Sequence, residues 1–353
     1  MSAPRVTRRV ALLTALLVLV VAAASVVGYV VWPRGSEFQQ AAGLLPDKSL
    51  RVTWTDWAGL RDQTEVEDPT GAGAEDFLAE VSDQDYSVSS LASAAQPLKE
   101  TLGFSPVESE WEILGQSRSG MVMILKLGED ADFDAIAEKY AAAGFTRPDD
   151  DTLSGGVWEG GPDVVSGLEG LESPELQNVA FLEDEGLLLT SDTAAYLRTA
   201  VPFADGDKDG LDLSDLAGPA GDPLAAVAMA DDLACDRLRM SQADADAQTT
   251  ADQLVERAGG VSPLTGYLVA LGADRSQTVV FDFENDDQAE KNVRSREALA
   301  GAEDPGQLLA YDELFTVDDV EQDGHRVVLT GTTVEDSAPL SNLSAGPVLL
   351  ASC

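Results

Sequence analysis

Residues 10–32, VALLTALLVLVVAAASVVGYVVW, contain no charged side chain in twenty-three positions. A bilayer core about 30 Å thick is crossed by roughly 20 apolar residues at about 1.5 Å each, so this stretch predicts a tilted transmembrane helix. Arg5, Arg8 and Arg9 precede it, Arg34 follows it, and the first acidic residue of the chain is Glu37. Basic flanks stay on the cytoplasmic side. The expectation is a single-pass protein of the cell membrane, with residues 1–9 cytoplasmic and the bulk of the chain extracytoplasmic. A cleaved signal peptide competes with that reading through Ala22-Ala23-Ala24. Against it, apolar residues continue through Val26, Val27, Tyr29, Val30, Val31 and Trp32, where a signal peptide turns polar.

Beyond the span the chain is strongly acidic. Four of its 22 Lys and Arg lie at or before Arg34 and all 63 Asp and Glu follow, so residues 36–353 set 18 basic against 63 acidic side chains, a net of −45. Such a surface repels phosphate backbones and anionic headgroups, which excludes nucleic acid as a partner and leaves the cell membrane a partner only through the helix. At 44% hydrophobic residues the chain can bury real cores. A stretch of about 320 residues exceeds the size at which single cores split, predicting two domains. Cys235 and Cys353 are the two cysteines. On the expected orientation both face an oxidising space, and an even count there predicts a disulfide.

Hydropathy patterning supplies the internal order. In SLRVTWTDWAGLR, Leu50, Val52 and Trp54 alternate with Arg51, Thr53 and Thr55 as in a half-buried strand, and Asp56 is placed to cap a helix. WEIL and the continuous apolar run MVMILKL follow as strands, then a helix over Phe133, Ile136, Ala137 and Tyr140, then a hairpin in VAFLEDEGLLLT. The second half repeats this order. PLAAVAMADDLACDRL matches the opening strand and helix, TGYLVALG and QTVVFDFE pair around Asp274-Arg275, Asn285 opens a helix, and LFTVDDVEQ and HRVVLTGTT form a hairpin through Asp323-Gly324. The recurring β-α-β-β-α-β order predicts an α+β fold of two ferredoxin-like repeats with antiparallel sheets. The expected divisions are a cytoplasmic tail 1–9, transmembrane helix 10–32, linker 33–46, first domain 47–204, acidic linker 205–221 and second domain 222–353.

RVTWTDW, the pair Ala234-Cys235 and the closing VLLASC are similar to sequences of uncharacterised, single-pass, extracytoplasmic proteins of actinobacteria. That resemblance spans most of the chain after the span and implies topology, since the group carries no assigned activity.

Among residues that could carry chemistry, Asp205-Gly206-Asp207-Lys208-Asp209-Gly210 resembles the start of a calcium loop: carboxylates at positions 1, 3 and 5 precede a turning glycine. Asp205, Asp207 and Asp209 are thus the candidate metal ligands and calcium the one candidate cofactor. Position 12, where a bidentate carboxylate closes the shell, is Leu216. The competing reading is an acidic linker whose Asp residues cap a short helix. His325 is the single histidine and no G-x-S-x-G elbow accompanies it, which argues against a serine-histidine triad and a histidine zinc site. No phosphate-cradling glycine-lysine loop is present. Trp54, Trp57, Trp111 and Trp158 are expected in the core rather than on a sugar-stacking platform. No catalytic residue is singled out. The expected function is a membrane-tethered, non-enzymatic binding or interaction module of the cell envelope, met by an envelope protein or ligand. A hydrolase using paired acids, or a structural or assembly subunit, are the alternatives.

Overall fold

The computed structural model describes residues 35–148, 154–344 and 346–353. The expected span 10–32 lies outside them, and among the described residues no helix is long and apolar enough to cross a membrane. The described residues thus lack support for the single-pass, membrane-anchored placement expected from residues 10–32.

Residues 36–353 form one compact unit. Its strands in chain order are β1 (Arg51–Thr55), β2 (Trp111–Gln116), β3 (Met121–Lys126), β4 (Val157–Glu159), β5 (Asn178–Leu182), β6 (Leu187–Ser191), β7 (Ala225–Ala230), β8 (Gly266–Leu271), β9 (Ser276–Asp282), β10 (Glu303–Asp304), β11 (Leu309–Ala310), β12 (Phe315–Asp323) and β13 (Arg326–Thr333). Eleven of them make a single sheet in the order β12-β13-β9-β8-β7-β1-β2-β3-β6-β5-β4, with every named pair antiparallel. The pair β10-β11 stands apart.

This corrects the expectation of two ferredoxin-like repeats. The opening strands of the two halves pair with each other: Arg51 faces Met229, Thr53 faces Val227 and Thr55 faces Ala225. Going outward from that seam, the first half runs β1-β2-β3-β6-β5 and the second β7-β8-β9-β13-β12. The order of elements recurs, but the two halves share one sheet instead of closing two. The division near 204–222 falls inside the compact unit. The reason lies in β1 and β7 themselves. Backbone groups on both sides of a buried strand must be paired, and neither strand has an open edge, since β1 lies between β2 and β7 and β7 between β1 and β8; Val52, Trp54, Ala226 and Ala228 are buried on one face, Thr53, Thr55, Ala225 and Val227 on the other. The half-buried strand predicted at residues 50–55 is thus covered on both faces.

Since side chains alternate along each strand, the sheet carries two different faces. On one, Val52, Trp54, Ile113, Ile124, Leu189, Ala228, Leu268 and Val328 belong to one continuous apolar layer under the helices Glu37–Ala42 and Ala194–Ala204. Trp54 sits between Phe38 and Trp111 at 5.6 Å from each ring, and its indole Nε1 donates to the carbonyl of Pro223 at 2.8 Å, just before β7. On the other face the apolar layer is in two pieces. One includes Leu114, Met123, Leu125 and Phe181 under the helix Phe133–Ala142. The second includes Val227, Tyr267, Phe281 and Leu329 under the helices Trp57–Gln63, Leu233–Leu238 and Asp286–Ala300.

Between those pieces β1 and β2 present Thr53, Thr55 and Glu112, all buried. The Ser89 hydroxyl donates to Glu112 Oε2 at 2.9 Å, and Thr55 and Ser87 share a hydroxyl contact at 3.4 Å. Burial pushes the Glu112 carboxyl up to about 7.

Local signals behave as short-range chemistry requires. Asp56 Oδ1 accepts from the Gly59 amide and Asn285 caps the helix Asp286–Ala300 through the Gln288 amide. Asp274 and Arg275, the expected β8-β9 turn, both take positive φ. The β12-β13 turn sits one residue later than expected: Asp323 pairs with Arg326, leaving Gly324 and His325 as the two-residue loop, with Gly324 at φ 60°.

The C-terminus is tied down by buried polar groups. Arg296, fully buried, donates to the carbonyls of Leu350, Ser352 and Ser262 and lies 5.0 Å over the Phe281 ring. Burial pulls its guanidinium down to about 9. Asp304 Oδ2 accepts from the Leu349 amide and from the Tyr311 hydroxyl at 3.3 Å, and that hydroxyl accepts from the Leu350 amide. Cys353 is bonded to Cys235 of the helix Leu233–Leu238.

Candidate functional site

Asp205, Asp207 and Asp209 are all exposed, and among the described residues no group of three or more His, Cys, Asp or Glu side chains is placed to hold a metal ion. Other residues of the supposed loop have local tasks of their own. Asp212 accepts from the Ser214 amide at 2.9 Å and starts the turn of helix Ser214–Ala217. Leu216, at the closing position, is buried in the apolar layer beside Gly266. Gly210 is where the backbone of residues 43–45 passes: a Cβ there would stand 2.0 Å from the Gly43 carbonyl oxygen and 2.6 Å from that of Leu45, while the Leu211 amide donates to the Leu45 carbonyl at 3.0 Å. The glycine that resembles a calcium-loop turn is thus required by packing. Gly210→Ala is expected to lower stability by about 1–3 kcal/mol in metal-free buffer, measured by urea unfolding; a variant that unfolds with the wild type refutes the contact.

The remaining sequence candidates are also structural. Trp54, Trp57, Trp111 and Trp158 are all buried. His325 pairs with Asp282 at 3.3 Å across the hairpin end.

What the tertiary structure assembles instead is a basic groove. At one end of the central strands, the start of β1, the end of β2 with its following turn, the end of β7 and the helix Leu233–Leu238 enclose about 950 Å³. Arg51, Arg118, Arg237 and Arg239 all line it, four of the 18 basic residues of a unit that carries 63 acids. Register explains the meeting. Arg51 is the first residue of β1 and lies opposite Gln116 on one side and Met229 on the other. Its Nη1 donates to Gln116 Oε1 at 3.1 Å. Burial, and then the neighbouring Arg237 guanidinium, pull Arg51 below the usual arginine value.

Arg118, in the β2-β3 turn, pairs with Asp232 at 3.3 Å, both side chains well exposed, a contact worth little in water. Arg237 and Arg239 are exposed, and among the described residues neither guanidinium has an ion-pair partner. Guanidiniums are permanently charged and present a planar fork of donors suited to carboxylate and phosphate oxygens. Four arginines against Asp232 and Asp236 leave basic side chains in excess at the groove. The groove is not legible in the sequence because Arg51 and Arg118 are far from Arg237 in the chain; the spacing of Arg237 and Arg239 is the one local signal.

No protein-family model and no curated protein matches the chain. Among solved structures, "Structure of crystal form III of TP0453" is similar at a TM-score of 0.42 and 10% identity, covering 86% of this chain and 97% of that one. It is a loose likeness, from which no function follows.

Proposed function

We propose that residues 36–353 are a non-enzymatic binding module that takes an anionic ligand in the arginine groove. The observation that carries this reading is the pair of exposed guanidiniums, Arg237 and Arg239, which line one groove with Arg51 and have no ion-pair partner among the described residues, in a chain of net charge −41. On such a surface a basic side chain is ordinarily surrounded by acids, so four lining one groove are a local reversal of sign. The residues lining the groove suit holding better than turnover. Its arginines do not exchange protons near neutral pH, and of the two carboxylates at the groove Asp232 is paired with Arg118.

The test is a calorimetric titration of the chain with pyrophosphate, a compact anion. Wild type is expected to bind, with affinity falling as salt rises. Arg237→Glu combined with Arg239→Glu is expected to weaken binding at least tenfold, since a charge-assisted hydrogen bond contributes about 1.5–3 kcal/mol. Because both side chains are exposed, the unliganded melting curve should be unchanged. Equal binding by the double variant, or no binding by wild type, defeats the reading.

A further inference from the structure

We infer that the groove's ligand is a compact phosphate or carboxylate group carried on a short apolar stem, taken up one molecule at a time from solution; this rests on the anion-binding reading above. The arginines are only part of the lining. Leu50, Met229, Leu233 and Leu343 line the same volume, and they come from four separate places: the residue before β1, the end of β7, the helix Leu233–Leu238 and the residue after the helix Pro339–Asn342. Met229 and Leu343 are buried beneath, and Leu50 and Leu233 are half-buried beside the guanidiniums. A site for a fully hydrated ion has no use for an apolar floor, which gains only when apolar ligand surface leaves water with it. At about 950 Å³ the space is in the range of pockets that enclose small organic molecules.

Charge sets the upper limit on the ligand. Asp232 and Asp236 stand at the groove itself, and the surface beyond belongs to a unit with 45 more acids than bases. A long polyanion would have to lie across that surface after leaving the four arginines, and an anionic bilayer would face all of it at once. A head of two or three charges fits inside the reversed patch.

The experiment compares inorganic phosphate with hexyl phosphate by calorimetry on the full chain. Hexyl phosphate is expected to bind about fifteenfold tighter, the equivalent of two methylenes buried at about 0.8 kcal/mol each. Leu233→Gln is expected to remove that gain while leaving inorganic phosphate affinity unchanged. Leu50→Gln provides the same test from β1 should the first variant disturb its helix. If both probes bind equally, the apolar stem is wrong and the anion site stands; if neither binds, the anion site falls as well. Flotation with phosphatidylglycerol vesicles separates the two sources of such a head. Wild type with no more flotation than Arg237→Glu with Arg239→Glu is the expected result and supports uptake from solution, whereas flotation abolished by those changes would place the ligand in a bilayer and overturn it.

Discussion

Replacing Cys235 and Cys353 together with serine is expected to lower the stability of the unit by about 4–5 kcal/mol. The bond closes a segment with a sequence separation of 118 residues, and the chain-entropy estimate for a loop of that length is close to 5 kcal/mol, chiefly through restriction of the unfolded chain. The folded side of the balance changes less. Cys235→Ser keeps an acceptor, now an oxygen, where Cys235 Sγ accepts from the Leu264 amide at 3.3 Å. Arg296, Asp304 and Tyr311 still hold the backbone of residues 349–352. The measurement is urea unfolding of wild type with and without a dithiol reductant, beside the double variant. Reduced wild type and variant should share a lower midpoint. An unchanged midpoint in both would mean that the buried polar clamp alone secures the C-terminus. A second signature follows from position: hydrogen exchange at Leu349 and Leu350 should accelerate before the sheet does, since their amides lie in the segment the bond fastens.

Glu112→Gln is expected to act in the opposite direction and only above a defined pH. Burial raises the Glu112 carboxyl from 4.5 to about 7 in the fold, while the unfolded chain keeps the ordinary value. Between those values the folded state holds a proton that the unfolded state has released. The stabilisation linked to that proton is therefore fully present below about 4.5 and is lost as pH rises through 7. A shift of that size corresponds to about 3 kcal/mol. The glutamine variant, neutral at every pH and still able to accept from the Ser89 hydroxyl, should match wild type near pH 4 and exceed it by up to about 3 kcal/mol at pH 8. Urea midpoints across this range decide the matter. Parallel pH profiles would show that Glu112 is not the group responsible.

These two sites also show how far the chain can be read in advance. The pairing of Cys235 with Cys353 follows from their number and an assumed compartment, and the structure joins them while leaving the compartment argument outside the described residues. Glu112 is invisible at that level. In WEIL it sits where an alternating strand puts a solvent-facing polar residue, whereas in the fold Ser89 and Trp57, both distant in sequence, lie against its carboxyl. The acidic run is the converse case. Asp205, Asp207, Asp209 and Gly210 match a local pattern whose glycine answers to Gly43 and Leu45, a distant part of the sequence. The arginine groove is equally beyond sequence spacing, because its members become neighbours only when β1 pairs with β2 and β7.

Short-range chemistry was legible from the residues alone: alternation in β1, the apolar run of β3, the Asp56 and Asn285 caps and the Asp274-Arg275 turn. Each depends on contacts within a few positions, where side-chain type decides conformation. Whether the two halves closed separate sheets or shared one was not of that kind. A buried strand satisfies its hydrogen bonds with any partner of suitable register, and the pairing of β1 with β7 joins residues too far apart in the chain for local side-chain pattern to specify. From that single pairing come the continuous sheet, the buried polar seam at Glu112 and the meeting of Arg51 with Arg237.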